Sequence, residues 1–87
     1  MSDLLKAALM PKPVSAGKKW EIWGGMLRAE RHLAGLTLGD TSRATGIGVS
    51  RLSAIERGYA PEPTHEERDV IWRVVTAYRA GGEGWEP

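Results

Sequence analysis

The stretch that decides the fold is Leu36 to Gly58, LTLGDTSRATGIGVSRLSAIERG. Its first part reads as a short helix ending near Ala44, and Thr45-Gly46-Ile47 supplies a tight turn. A second helix, Val49 to Arg57, opens with small and basic side chains, and Gly58 stands where it should stop. Two short helices on such a turn have the layout of a helix-turn-helix, whose second helix is shaped to lie in the major groove of DNA.

Upstream, residues 18–34 carry a helical stripe. Trp20, Trp23, Leu27 and Ala34 lie on one side, and Ile22, Met26 and Leu33 widen it. Gly24-Gly25 costs such a helix about 1 kcal/mol per glycine. Either a backbone approaches closely there or the helix begins at Gly25. Gly35 marks its end. The next helix, Leu38 to Ala44, has Thr37 as N-cap. Gly39, Asp40, Thr41 and Ser42 all disfavour it, so packing must hold it.

The helix after the turn buries Ile47, Leu52 and Ile55, with Gly58 as a left-handed cap and Tyr59 as its apolar contact. Downstream, Thr64 and Glu67 form a T-x-x-E capping box that opens a helix over 64–80. Val70, Val74 and Ala77 line one stripe of it, Ile71, Val75 and Tyr78 a neighbouring one, and Trp72 points elsewhere. That much apolar circumference suits two partners, the domain's own core and a second chain. Gly81-Gly82 ends the helix, and Trp85 follows in the tail.

The chain has 87 residues, room for one domain with a thin core. It divides into an N-terminal arm over 1–17, a helical domain over 18–80 and a tail over 81–87. Residues 2–10 suit a short helix with Ser2 as N-cap and Leu4, Leu5, Ala8 and Leu9 on one side. The following PKPVSAG reads as a linker. Whether this arm is mobile or docks on the domain stays open.

There is no cysteine, hence no disulfide framework and no cysteine-based metal site, as suits a reducing cytosol. The apolar run Leu4 to Met10 is too short to span a membrane and ends at Pro11. His32 and His65 stand without a metal or catalytic pattern, and Ser42, Ser50 and Ser53 lack a nucleophile motif. Gly46, Gly48 and Gly58 read as turn and cap residues, not a phosphate loop. The expectation is a protein with no cofactor and no enzymatic activity.

The net charge of +1 hides an asymmetry. Residues 1–57 hold nine Lys and Arg against five Asp and Glu, whereas residues 58–87 hold three against six. The basic half contains the second helix of the turn motif, so the acidic half is the poorer DNA face. Val49, Ser50, Arg51 and Ala54, with Gly48 and Ser53 beside them, are the candidates for base contact. Arg can donate two hydrogen bonds to guanine, Ser suits several base edges, and Val suits a thymine methyl. A plain solvated face is the other reading of those positions. Arg43, Arg57, Lys18, Lys19 and Arg28 are candidate phosphate contacts.

From Leu27 to Tyr78 the chain resembles the XRE-type domain of Cro and lambda-repressor-like regulators. Leu27, Arg31, Gly35-Leu36-Thr37, Gly46-Ile47, Leu52-Ser53-Ala54-Ile55-Glu56-Arg57-Gly58, Pro61 and Pro63 fall on that pattern without a gap between Leu36 and Gly58. The resemblance implies an all-α, compact, four- to five-helix domain. It also implies that Arg31 pairs with Glu56 as structure.

Several positions depart from the family pattern: Leu38 replaces a frequent Gln, Thr41-Ser42 and Thr45 replace apolar residues, and Glu30 occupies an apolar site. These changes remove core volume. Trp20 and Trp23, or the Leu4/Leu5/Leu9 face, are candidates to refill it.

The function so implied is a cytoplasmic, bacterial or phage-encoded transcriptional regulator, bound to the nucleoid when on DNA. It would read double-stranded DNA as a homodimer and act as a repressor or autoregulator of the phage-repressor, Cro or antitoxin kind. Trp72, Tyr78 and Trp85 are candidate dimer or partner contacts. The competing reading is a protein-interaction module or antitoxin, in which the helix-turn-helix is a scaffold for a toxin or other regulator.

Overall fold

The computed structural model describes residues 13–81. The helix expected over 2–10, and Trp85, lie outside the described residues. Four helices follow one another: α1 (Lys18–Leu33), α2 (Leu38–Thr45), α3 (Val49–Glu56) and α4 (His65–Gly81). Among the described residues there is no strand, only an isolated antiparallel bridge between Ser15 and Tyr59. The fold is all-α, as expected.

Helix α1 starts at Lys18 and continues through both glycines. A Cβ at Gly24 would lie 2.3 Å from the Ile55 carbonyl oxygen and 2.7 Å from that of Glu56, so α1 and the end of α3 touch backbone to backbone there. Nothing lies within 4 Å of the same atom at Gly25. Close approach therefore explains the first glycine, and no packing contact explains the second.

Helix α2 forms despite its composition because its first turn is doubly capped. The Asp40 amide donates to Thr37 Oγ1, and the Thr37 amide donates to the Asp40 carboxylate, each at 3.0 Å. The Asp40 counted against this helix is thus what starts it. Thr41 is fully buried, and its hydroxyl donates to the Thr37 carbonyl. Helix α2 includes Thr45, so the turn itself is Gly46 to Gly48.

Helix α3 ends in a Schellman cap. Gly58 has φ 74°, its amide donates to the Ile55 carbonyl, and the Tyr59 amide donates to that of Ala54. The expected Thr64–Glu67 capping box opens α4, through Glu67 N to Thr64 Oγ1 at 3.1 Å and Thr64 N to the Glu67 carboxylate at 2.9 Å.

α1 packs on α3 and α4, and α2 packs on the same two helices. Leu27, Leu36, Leu52, Ile55, Ile71 and Val75 form the buried centre, flanked by Trp23, Ala34, Leu38, Ile47, Val70, Val74 and Tyr78. Trp20 is also buried, edge-on to Trp23, with the Arg68 guanidinium 5.2 Å over its ring. Helices α1 and α2 make no close approach to each other, and Trp20 sits against Arg68 of α4, away from the small residues of α2.

Ile22, Met26 and Leu33 correct the reading of α1. They are 55%, 55% and 65% exposed and lie beside the core stripe, not in it. Glu30, the other departure on this helix, is half-buried and forms an ion pair with Arg79 of α4.

The described end of the segment read as a linker is fastened to the chain that leaves α3. The Ala16 amide donates to the Gly58 carbonyl at 2.8 Å, and the Ala60 amide to the Val14 carbonyl at 2.6 Å. Residues 14–16 thus run along the chain that leaves α3. No helix among the described residues is long and apolar enough to cross a membrane.

Candidate nucleic-acid interface

Helix α3 has only eight residues, and its orientation is set by what it buries. Leu52 and Ile55 point into the core at 0% and 1% exposure. Glu56 is buried against Arg31 of α1. Arg31 Nε donates to Glu56 Oε2 at 2.6 Å, Nη2 to Oε1 at 3.0 Å, and Nη1 to the Leu36 carbonyl at 2.7 Å. The bidentate pair and the third bond satisfy both charges inside the fold.

The opposite side of α3 is smooth. Gly48, Val49, Ser50 and Arg57 are exposed, and Ser53 and Ala54 are half-buried. Apart from Val49, at 46% exposed, and Arg57, no large side chain rises from this face, so its backbone can come close to a flat partner. Arg57 stands at its C-terminal end. Next to it, Arg28 of α1, Leu38 of α2 and Ser53 line a small cleft of about 100 Å³, floored by the Arg31–Glu56 pair. Arg28 and Arg57 bring two cations to this cleft beside the internally paired Arg31 and Glu56, a balance that suits an anionic oxygen.

Arg51 departs from expectation. It does not stand on the outer face with Ser50 and Ala54 but turns to the flank facing α4. Its Nε and Nη2 donate to the two Glu67 carboxylate oxygens at 3.0 and 2.9 Å. Nη1 donates to the Pro61 carbonyl at 3.0 Å, and Nη2 also to that of Glu62 at 3.3 Å. The Arg51 hydrogen bonds, helped by Thr64, hold the Glu67 carboxyl down to about 2, against an opposing effect of partial burial. The Arg51 guanidinium is correspondingly raised by Glu67. Sequence reasoning missed this pair because the partners are 16 positions apart. The usable signal was the capping-box Glu67, which ties its helix start to whatever cation the fold brings near.

Among the other candidates, Arg43 is exposed at the end of α2 and pairs with Asp40. Lys18 is exposed, and the Lys19 ammonium lies 4.9 Å over the Trp20 ring. Trp72 is 37% exposed on α4, whereas Tyr78 packs against the core. His65 lies 3.1 Å from Asp69, one turn along the same helix, and His32 is exposed. Among the described residues no group of three or more His, Cys, Asp or Glu is placed to hold a metal ion.

Residues 24–85 match the family described as "Helix-turn-helix domain". The chain belongs to that helix-turn-helix family. A protein of Bacillus subtilis (strain 168) named an uncharacterized HTH-type transcriptional regulator, YazB, is 53% identical over 38 residues. That alignment covers 44% of this helix-turn-helix chain and 55% of the relative, so the chain spans about half the length of the curated protein it matches. No solved structure matches the chain significantly.

Proposed function

We propose that this helix-turn-helix domain binds double-stranded DNA sequence-specifically and regulates transcription, as an XRE-type repressor or autoregulator. The observation that carries the reading is the outer face of α3. Its side chains are mostly small, exposed at Gly48, Val49 and Ser50 and half-buried at Ser53 and Ala54, it carries no carboxylate, and it ends at Arg57 beside Arg28. In the complex, Gly48, Val49, Ser50, Ser53 and Ala54 face the major-groove base edges, with Val49 placed for a thymine methyl and Ser50 for a base hydrogen bond. Arg57 and Arg28, with Arg43 at the end of α2, take phosphates and set the register. The B. subtilis relative, by its name a transcriptional regulator, supports the same role.

A homodimer completes the reading, because two copies place two α3 helices about 34 Å apart on a near-palindromic site. The exposed Ile22, Met26 and Trp72 give α1 and α4 apolar surface for the second copy. An interaction module that binds a toxin-like partner is the second reading, and the same surface favours it.

The test is selection from a pool of random duplexes with the parent protein and with Ser50→Asp, which sets a carboxylate on the outer face. Enrichment of a common, two-fold-related motif by the parent alone supports the reading. Equal, motif-free recovery by both proteins contradicts it. Sedimentation of the free protein and of Met26→Glu reads the dimer directly.

A further inference from the structure

We infer that Arg51 is a positioning residue for α3: its clamp on Glu67 sets the angle at which the outer face meets DNA, and it reads no base. The inference rests on the DNA-binding reading above.

Three observations carry it. First, α3 packs against α1 and α2, but its backbone makes no close approach to that of α4. The gap is crossed at the surface by the Arg51 side chain. Second, four of the five guanidinium N–H groups are engaged, by two carboxylate oxygens and two loop carbonyls. Freeing it to meet a guanine would cost Glu67, a part-buried carboxylate at 22% exposure, both of its Arg51 hydrogen bonds and leave it only the Thr64 amide. Third, the clamp has a counterpart. Glu56, on the other flank of α3, is gripped by Arg31 of α1. Leu52 and Ile55 fix which side of the helix faces inward, while the two ion pairs hold it against rotation, one toward α1 and one toward α4. The Gly24 contact and the Arg31–Glu56 pair fix the C-terminal end of this eight-residue helix, and the Arg51 clamp ties its first turn to the start of α4.

Glu67 makes the inference testable, because positioning and direct contact predict opposite signs. A carboxylate near bound DNA repels phosphate, so neutralising it should strengthen binding if its only effect is electrostatic. If Glu67 instead holds Arg51 and thereby α3, neutralising it should weaken binding.

The experiment uses the full chain and the duplex that the parent enriches from a random pool. Affinity is measured by fluorescence anisotropy over a series of salt concentrations. The proteins are the parent, Glu67→Gln, Arg51→Gln and the exchanged pair Arg51→Glu with Glu67→Arg. Circular dichroism melting at the assay temperature confirms that each variant is folded.

The expected result is that Glu67→Gln and Arg51→Gln lose affinity to a similar extent, roughly two- to a hundredfold, the range for breaking one coupled pair. The salt slope should stay that of the parent, and the exchanged pair should recover affinity. Tighter binding by Glu67→Gln would overturn the inference. So would loss in Arg51→Gln alone with a salt slope lower by about one, which marks a phosphate contact. Relaxed preference at a single base pair in Arg51→Gln would overturn it too. If the parent enriches no duplex, the DNA reading itself fails, and the failure is distinguishable from failure of the clamp.

Discussion

Arg31 Nε lies 2.6 Å from Glu56 Oε2, joining the last turn of α1 to the last turn of α3. Both side chains are nearly excluded from solvent, at 8% and 5% exposure. The pair connects the helix that organises the core to the helix proposed to read DNA. Glu56→Ala leaves Arg31 buried without its partner and should cost about 3–5 kcal/mol. That is much of the 5–15 kcal/mol typical of a domain's total stability. Urea unfolding followed by circular dichroism checks it, and a loss below about 1 kcal/mol would show the pair to be dispensable.

The two glycines of α1 should respond in opposite ways. Gly24→Ala drives a methyl into the carbonyls of Ile55 and Glu56. Helix α1 must then move off α3, at a cost of ~2 kcal/mol or more. Gly25→Ala meets nothing within 4 Å. It should stabilise the protein by ~0.5–1 kcal/mol, since alanine restricts the unfolded chain and favours helix. Thermal melts of both variants beside the parent measure the contrast.

Acid should loosen the α3–α4 clamp. The Glu67 carboxyl titrates at about 2 in the fold against an ordinary value of 4.5. A lowered folded value means that its contribution is complete above about 4.5 and is lost as pH falls toward 2. The stability difference between the parent and Glu67→Gln should therefore be largest near neutrality and shrink across that acid window. A difference that stays constant from pH 7 to pH 2.5 would contradict the assignment.

Arg28→Ala and Arg57→Ala should each weaken binding to every duplex alike and lower the salt slope by about one, as expected for phosphate contacts. Anisotropy titrations at several salt concentrations on an enriched and an unrelated duplex separate this from base readout, which changes only the enriched duplex.

Much of this was legible in the sequence, where local chemistry decided the outcome. Gly58 ended α3, Thr64 and Glu67 opened α4, and the unbroken spacing from Leu36 to Gly58 set the turn motif. Helix α2 was the instructive case. Asp40 counts against a helix by propensity, yet three residues after the Thr37 N-cap position it completes a capping box. The faces of α1 were not legible. Apolar residues cover too much of its circumference for period alone to separate buried Leu27 from exposed Met26. Arg51 was illegible as well. Its exposure pattern matched an outward residue, and only the fold brings Glu67 within reach.

The most direct measurement is anisotropy of the purified protein on duplex DNA from upstream of its own coding sequence, at two salt concentrations and with excess unrelated DNA. The account predicts binding that survives the competitor and weakens as salt rises. Binding no tighter than that to the competitor, on this duplex and on any recovered from a random pool, would contradict it.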